Sequence, residues 1–377
     1  MSPIWKTTPV ITAGLLVLLA GGTLLYRSLF PGTGPVPAGI SPPQQIPANT
    51  SHPAAAEAPA RVTAKSTTEL LRQYGGIPLI DAHNHDAESY TSKLDTWSRL
   101  GVDRIVLFGD VSEPSAVRTD EMAWNAYQQA PQTVIPFSSG IHLLEESGLK
   151  MARANLEKGF FGLGELAAAS TRSPVLAKVA WKTKDPMDGI LPRLYELCAE
   201  YQAPLLLHID PPNGPAGQKL EEALEAYPKT TFIFAHANAF NSPENLRKLL
   251  ERHPNLYMDF FAGFTALNPE SSHTLADFVP VMREYPDRFM LSTDSGFGLP
   301  GGEEAAIESM YRLLDALDDP GLQEKIAHRN LETLIHRQPA TATQREAIAK
   351  HNASTGHRHD AAVLTKAEAG LILAGKE

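Results

Sequence analysis

The chain has 377 residues, of which 43% are hydrophobic and 20% are charged, a composition typical of a globular protein with a sizeable core. Its 43 acidic residues outnumber its 33 basic residues and give a net charge of -10. This balance argues against a general nucleic-acid-binding protein, because phosphate backbones attract positively charged surfaces. The single cysteine, Cys198, excludes an intrachain disulfide and leaves the redox compartment open.

The N-terminus contains an uncharged apolar run over residues 9–25, with Trp5 and Tyr26 beside it as candidate interface residues. In helical form, the stretch between these two aromatic residues would span about the thickness of a bilayer's hydrocarbon core. We therefore predict that residues 1–29 form a transmembrane anchor. A cleaved signal peptide is the alternative, because residues 20–22 are small, as a signal peptidase requires.

The charges beside this run favour an orientation. Lys6 and the α-amino group precede it, and only Arg27 follows it closely, which favours an N-terminus inside the cell. The bulk of the chain is then expected on the extracytoplasmic side of the membrane, in the periplasm if the cell is Gram-negative. Cleavage would instead release an exported, soluble protein.

The composition divides the rest of the chain into three parts. Residues 30–66 are rich in Pro, Ala, Gly, Ser and Thr, which predicts a disordered linker without a core of its own. Residues 67–337 contain the alternating elements of a folded domain. Residues 338–377 are predicted to be a polar and helical C-terminal tail, with a short last helix near residues 366–374. Its polar part contains His351, His357 and His359. These histidines predict either a metal site or a solvated tail, and the solvated tail is favoured.

Within the folded domain, apolar runs typical of buried strands alternate with amphipathic helical stretches. The eight runs are residues 77–80, 104–108, 134–137, 160–163, 204–207, 231–234, 256–258 and 288–291. Eight parallel strands, each followed by a helix, close into a (β/α)8 TIM barrel of the α/β class. A doubly wound open sheet is the competing architecture, but no Gly-rich phosphate-binding turn follows the first run.

The motif Asp81-Ala-His83-Asn-His85 closes the first apolar run. Because side chains alternate along a strand, the two histidines face the same way, as two ligands of one ion do. Asp81 lies on the same face and is expected to brace the site.

Polar side chains also end several of the other predicted strands, where TIM-barrel enzymes build their active sites. Imidazole nitrogen and carboxylate oxygen together suit Zn²⁺ first, with Mn²⁺, Fe²⁺ and Co²⁺ as alternatives. The six candidate metal ligands are His83, His85, Glu165, His208, His236 and Asp294.

The order of these residues resembles the amidohydrolase superfamily, in which a DxHxH motif precedes further His and Asp ligands on later barrel strands. The contexts FAHAN at 234–238, LSTDSG at 291–296 and KIAHRNL at 325–331 are most similar to the amidohydrolase-related branch. The resemblance covers about residues 79–334. This branch includes hydrolases of amide and lactone bonds as well as metal-dependent, non-oxidative decarboxylases.

The resemblance implies a role for each ligand. His83, His85 and Asp294 would bind a first metal, and His208 and His236 would bind a second metal or divide between metal and substrate. Glu165 departs from the pattern, because many members of the branch have no bridging carboxylate on this strand and hold one metal. TatD-like deoxyribonucleases have a Glu at a similar strand end and hold two. A two-metal site is therefore expected, with a Glu that caps the next helix as the alternative.

The expected mechanism follows from charge. A bound metal lowers the pKa of a water toward about 7 and polarises the substrate oxygen. Asp294 is the predicted catalytic acid and base, because one carboxylate can take the proton of the water and return it to the leaving group. His236 or His208, if not fully committed to metal, would stabilise the oxyanion.

Candidate substrate contacts lie in two loops. Residues 167–187, expected above the site after the fourth strand, contain four basic residues and one acidic residue, which favours an anionic substrate; a solvated loop is the alternative. Arg172 and Lys182 are the candidate contacts there, and His142, past the third strand, is another. Three aromatic side chains would line an apolar pocket or belong to the packing: Phe260, Phe261 and Phe264.

Four functions remain open. We favour a metal-dependent hydrolase of a small, anionic amide, ester or lactone, and the alternative is a decarboxylase of the same fold. A TatD-like nuclease is disfavoured by the net acidity and by the alanines at 167–169, where phosphate-binding residues would be expected. A non-catalytic metal-binding domain is disfavoured because binding alone does not require all six residues. The expected partners are a small molecule and, through the N-terminal helix, a membrane, with no nucleic acid; homo-oligomerisation stays open.

Overall fold

Eight parallel strands form the centre of the protein in this computed structural model, which describes residues 65–376 except 172, 174 and 270. The strands are β1 (Ile80–Asn84), β2 (Arg104–Leu107), β3 (Val134–Ser138), β4 (Gly162–Ser170), β5 (Leu205–Asp210), β6 (Phe232–Phe234), β7 (Leu256–Phe261) and β8 (Phe289–Ser292). Each strand pairs in parallel with the next one in the chain, and β8 lies beside β1. The sheet is a nearly closed α/β TIM barrel, which confirms the predicted barrel.

Helices connect the strands and cover the barrel, because their apolar faces pack on the outer faces of the strands. They are α1 (Thr67–Tyr74), α2 (Tyr90–Arg99), α3 (Pro114–Gln129), α4 (Glu146–Lys158), α5 (Leu191–Tyr201), α6 (Gly214–Ala226), α7 (Pro243–Arg252), α8 (Ala262–Ala266), α9 (Leu275–Glu284), α10 (Gly302–Leu317), α11 (Pro320–Glu324), α12 (Asn330–His336), α13 (Ala342–Thr355) and α14 (Lys366–Leu373). A π-helical turn, Lys325–Arg329, joins α11 to α12.

Two strands differ in position from the predicted runs. β1 begins at Ile80 and carries His83 within it, whereas the sequence predicted a strand over 77–80. β4 continues to Ser170 and includes the three alanines predicted to belong to a loop. Both strands run further toward the barrel mouth because their polar groups find partners there. Asp81 accepts a hydrogen bond from Thr293, directly after β8, and Ala167 N donates to Ser112 Oγ.

The segment after residue 338 is more ordered than predicted. The polar stretch forms α13, which begins at a capping box between Thr341 and Gln344, and α14 begins at a second such box. A small core of Ala340, Ile348, Ala369 and Ile372 joins the two helices. Helix α13 itself was not predicted, because its apolar residues are few, whereas residues 353–358 at its end and beyond it are exposed.

The predicted membrane anchor and almost all of the predicted linker lie outside the residues that the structure describes. Within the described part of the chain, no helix combines the length and the apolar character needed to cross a bilayer.

Candidate metal centre

One group of three candidate ligands joins the two ends of the barrel sheet. His83 lies within β1, His85 directly follows it, and Asp294 begins a short 3₁₀ turn after β8. Asp294 Oδ1 is 3.4 Å from His83 Nε2 and 3.2 Å from His85 Nε2, and the two Nε2 atoms are 3.0 Å apart. The His-x-His spacing therefore brings both imidazoles to one point, as predicted for a strand.

A second group of three lies on β4, on β5 and directly after β6. His208 Nδ1 is 3.0 Å from Glu165 Oε1, and His236 Nε2 is 3.3 Å from the same oxygen. The two histidine nitrogens are 3.1 Å apart. All three residues are buried, so their polar atoms satisfy one another rather than water.

Glu165 lies between the two groups. While Oε1 faces His208 and His236, Oε2 is 3.6 Å from His85 Nε2 and 3.9 Å from His83 Nε2. One carboxylate thus presents an oxygen to each group. This arrangement is the one that a bridging ligand needs, and it differs from a helix-capping role.

The ring orientation of the first histidine pair is set by acceptors behind the rings. His83 Nδ1 is 2.7 Å from Asp259 Oδ2, and His85 Nδ1 is 2.8 Å from the carbonyl oxygen of Gly109. Each Nδ1–H donates to its acceptor, so Nε2 is the nitrogen that each ring can offer to a metal in the site. Asp259 Oδ2 also accepts from the backbone N–H of His236 at 3.0 Å, so this carboxylate positions residues of both groups.

Asp81 braces the junction of β1 and β8 and also accepts from the backbone N–H of His83 at 3.2 Å. Its carboxylate accepts from Thr293 N at 2.9 Å, from Thr293 Oγ1 at 2.5 Å and from Asn84 Nδ2 at 3.0 Å. His85 N donates to Ser295 Oγ at 2.9 Å across the same junction. These bonds hold the strand end that carries the histidines against the turn that carries Asp294.

The backbone bends sharply at two of the ligands. His236 has φ of 35° and Asp294 has φ of 46°, in the left-handed region that non-glycine residues seldom adopt. Such conformations persist where the surroundings hold them, and they concentrate at functional sites. Here the hydrogen bonds of Asp259 and Thr293 supply that support.

Charges and hydrogen bonds within the site counteract the effect of burial on the pKa values of its residues. Burial lowers the pKa of His85, but the hydrogen bond and charge of Asp294 outweigh it and raise the pKa to about 9. Burial acts in the same way on His236, and Glu165 outweighs it, raising the pKa to about 9. Burial raises the pKa of Glu165. The charge of His208 and its hydrogen bond with Glu165 outweigh burial and hold this pKa well below its usual value. The site therefore keeps its carboxylates ionised.

The donor chemistry fits a divalent cation. With both Nδ1 atoms donating, the lone pairs of His83 Nε2 and His85 Nε2 face each other at 3.0 Å, which is repulsive unless a cation or a proton lies between them. His208 Nε2 is buried and has no hydrogen-bond partner among the described residues. Four imidazoles and two ionised carboxylates suit Zn²⁺ first, and Mn²⁺, Fe²⁺ or Co²⁺ as alternatives.

The candidate substrate residues lie on the surrounding loops. The His142 ring stacks on Trp181 with centroids 4.8 Å apart, which joins the loops after β3 and β4. Lys182 Nζ donates to the carbonyl oxygens of Ala177 and Val179, so its amine turns toward its own loop. Arg172 lies outside the described residues. The substrate-binding roles of all three stay predictions.

The aromatic residues at the end of β7 and just after it divide between the core and the site. Phe260 and Phe261 are fully buried, whereas Phe264 is half-buried and its ring lies 6.1 Å from that of His236. Phe108, at the end of β2, packs on both His83 and His85. Phe264 and Phe108 thus form apolar walls beside the polar centre.

The role of Asp259 behind His83 and His236 was not predicted from the sequence. Its signal is its place near the carboxyl end of β7, on a strand whose other residues are apolar. The contribution of the Gly109 carbonyl has no sequence signal, because any residue carries one.

An eight-stranded α/β barrel with a histidine and carboxylate centre at the carboxyl ends of its strands defines a class of metal-dependent TIM-barrel enzymes. A family model described as Amidohydrolase matches residues 80–354. The chain belongs to this family, whose members bind divalent metals, which confirms the resemblance seen in the sequence.

Several solved structures are similar to this chain at low sequence identity. An uncharacterized TIM-barrel protein from Bordetella bronchiseptica matches with a TM-score of 0.51 and 16% identity, over 68% of this chain and 98% of that one. A putative amidohydrolase from Staphylococcus aureus has a TM-score of 0.45 and 14% identity, over 68% and 99%. A dihydroxybenzoic acid decarboxylase from Polaromonas sp. JS666 with bound manganese has a TM-score of 0.43 and 14% identity, over 68% of this chain and 96% of that one. No curated protein matches the sequence.

Proposed function

We propose that the protein is a metal-dependent hydrolase that cleaves a small amide, ester or lactone, with two divalent cations at its centre. The observation that supports this is the position of Glu165, whose two oxygens face two separate groups of ligands. A site for one cation would need only one of these groups. Amidohydrolases that hold two metals use such a carboxylate as a bridge, according to the resemblance described above.

Zinc is the proposed metal. His83, His85 and Asp294 would hold one ion, His208 and His236 would hold the other, and Glu165 would be shared. When bound, such cations make a water acidic near neutral pH and polarise the oxygen of the scissile bond.

Asp294 is the proposed proton carrier. Its carboxylate is ionised, because the charges of His83 and His85 outweigh the effect of burial and lower its pKa. Its side chain keeps about a tenth of its surface exposed, so a water or substrate atom can reach it. Asp294 would accept the proton of the attacking water and pass it to the leaving amine or alkoxide, which balances the reaction. His236 would stabilise the oxyanion.

The surroundings favour a small substrate with an apolar part and a negative charge. Phe108 and Phe264 supply apolar surface next to the histidines. Lys178 and Lys184 are exposed on the loop after β4, which lies beyond the carboxyl end of that strand. Exposed amines near a site entrance attract anions before they bind.

The alternative is a metal-dependent decarboxylase of the same fold, because the branch that the sequence resembles contains both reaction types. The two differ in whether water is consumed. A hydrolase adds the elements of water across the bond, so turnover in ¹⁸O-labelled water places ¹⁸O in the carboxylic acid product. A decarboxylase instead releases carbon dioxide and leaves a proton on carbon.

The test combines metal analysis with turnover of a panel of small amides, esters, lactones and hydroxybenzoates by the full-length protein. We expect two equivalents of metal per chain at this centre, counted apart from metal held elsewhere on the chain, and ¹⁸O incorporation for at least one ester, amide or lactone. Glu165→Gln should hold one equivalent fewer than wild type and lose activity at least about 100-fold, and Asp294→Asn should lose activity to a similar degree. Asp287→Asn, on the surface, is the matched control. Carbon dioxide release without ¹⁸O incorporation would overturn the hydrolase in favour of the decarboxylase.

The proposal includes a membrane anchor at residues 1–29 and an extracytoplasmic barrel, supported by the apolar run and its flanking charges. N-terminal sequencing of the mature protein tests it: an intact Met1 is expected. A start near Thr23 would mean a cleaved signal peptide and an exported, soluble enzyme.

A further inference from the structure

Three histidines meet at the end of α13, away from the metal centre described above. His351 lies on α13, and His357 and His359 lie in the segment that follows it. Their ring centroids are 5.5 to 6.1 Å apart in all three pairs. One ring nitrogen of each lies within 4.8 Å of those of the other two. We call these three residues the C-terminal histidine cluster.

The chain reversal that forms the cluster is built by backbone hydrogen bonds. Gly356 ends α13 with φ of 80°, and its N–H donates to the Asn352 carbonyl. Asn352 then holds the returning segment, because its Nδ2 donates to His359 O at 2.8 Å and its Oδ1 accepts from His359 N at 3.2 Å. His359 is thereby fixed next to the helix that carries His351, so the cluster does not depend on chance contacts of a loose tail.

The cluster and the metal centre share no residue. The segment that leads into α13 is joined to residues just before β4: Gln338 Nε2 donates to Phe161 O, and Thr341 Oγ1 donates to Glu157 O. Lys366, on α14, donates to Phe160 O. These partners precede β4, whereas Glu165 lies within the strand. The two histidine-rich sites are therefore separate groups of ligands.

We propose that the C-terminal histidine cluster binds one divalent cation of the zinc, copper or nickel type. Three imidazoles without a carboxylate suit these borderline cations and not Ca²⁺ or Mg²⁺, which take oxygen ligands. In tetrahedral zinc sites with Zn–N bonds near 2.0–2.1 Å, ligand nitrogens are about 3.3 Å apart, so modest side-chain rotations bring these three into range.

The surroundings of each ring fit this role. His351 Nε2 is shielded from solvent and has no hydrogen-bond partner among the described residues, a cost that a metal bond removes. His351 and His359 are half-buried, and His357 is exposed. Because the His357 side of the cluster is exposed, the fourth coordination position of the cation would be open to water or to a ligand from solution. The cation would link the end of α13 to the segment after it, and thereby stabilise the C-terminal helical pair.

The test uses full-length protein without a polyhistidine tag, dialysed against buffered free Zn²⁺ over a range of concentrations, with zinc counted per chain. Wild type is expected to bind one equivalent more than His357→Ala, whose exposed ring makes no packing contribution that folding requires. The double variant His351→Ala/His359→Ala should show the same loss. His336→Ala, which removes an exposed histidine at the end of α12, is the matched control and should bind as wild type does.

A second measurement separates binding at the cluster from binding elsewhere. Zn²⁺ is expected to slow backbone amide exchange in residues 356–360 of the wild type but not of His357→Ala. Glu165→Gln should retain this protection, because it alters only the other site. Equal zinc stoichiometry in wild type and His357→Ala at every free Zn²⁺ concentration would overturn the proposal, as would protection that persists in His357→Ala.

Discussion

Asp259 Oδ2 accepts a hydrogen bond from His83 Nδ1 at 2.7 Å, although the two residues are 176 positions apart in the chain. The same oxygen accepts from the backbone N–H of His236 at 3.0 Å. One buried carboxylate on β7 therefore sets the ring orientation of one ligand and the backbone position of another. Asp259 is therefore a positioning residue, which acts on the metal site through His83 and His236.

Replacing Asp259 by Asn should weaken metal binding without removing a ligand. The amide is neutral, and its NH₂ group would face donors, so the His83 ring loses its charged acceptor. Metal affinity should fall about 10–100-fold, as is usual when the partner of a ligating histidine is removed. Chelator competition on the purified protein measures it, with Asp287→Asn as the surface control. Unchanged affinity in Asp259→Asn would contradict the positioning role.

Thr293→Val tests the junction of β1 and β8. Valine has the shape of threonine but lacks the hydroxyl that donates to buried Asp81 at 2.5 Å. Losing a donor to a buried carboxylate should lower the free energy of unfolding by about 1.5–3 kcal/mol, as measured in urea. Thr333→Val, on the exposed face of α12, should change it by less than about 0.5 kcal/mol. If the two variants are equally stable, the junction does not depend on this bond.

Gly164→Ala tests how β4 presents Glu165. Gly164 has φ of +132°, and a Cβ there would lie 2.7 Å from Leu206 Cβ and from Leu206 O on β5. Overpacking and an unfavourable φ together should cost about 2–4 kcal/mol of unfolding free energy. Displacement of Glu165 should also lower the bound metal by one equivalent per chain. Gly76→Ala, which meets nothing within 4 Å, is the control. Full metal content in Gly164→Ala would show that the close approach is not needed.

Lys366 predicts a pH dependence of stability. Burial lowers its pKa from 10.5 to about 7, against smaller opposing effects of Cys198 and Glu157. Below about pH 7 the folded state carries the cost of a buried ammonium group. Between about pH 7 and 10.5 the unfolded chain holds a proton that the folded chain has released, so stability rises with pH in this window.

The variant Lys366→Met removes the titrating group and keeps much of the side-chain volume. The thermal midpoint of wild type minus that of Lys366→Met should increase from pH 7 to pH 10, measured in matched buffers. Other groups titrate alike in both proteins and cancel in the difference. A difference that stays constant, or that falls, over this window would mean that Lys366 is charged in the folded protein.

Much of the barrel was predictable because its strands are short apolar runs at regular intervals. The strand ends were less predictable, since β1 and β4 continue through polar or small residues. Asp81 is tolerated within β1 because hydrogen bonds satisfy its buried carboxylate, two of them from Thr293, which lies 212 positions later in the chain. The helix α13 was missed because its apolar residues are few and pack on α14 rather than on the barrel.

The sequence by itself determined the direction of the candidate ligands. Period-two alternation aims His83 and His85 to one side, and the place of each polar residue after an apolar run puts it at the barrel mouth. Distances were decided only by the tertiary structure. The span of Glu165 between two groups and the contact of Asp259 with His83 both depend on closure of the barrel. Local periodicity sets which way a side chain points, whereas packing of distant segments sets what it reaches.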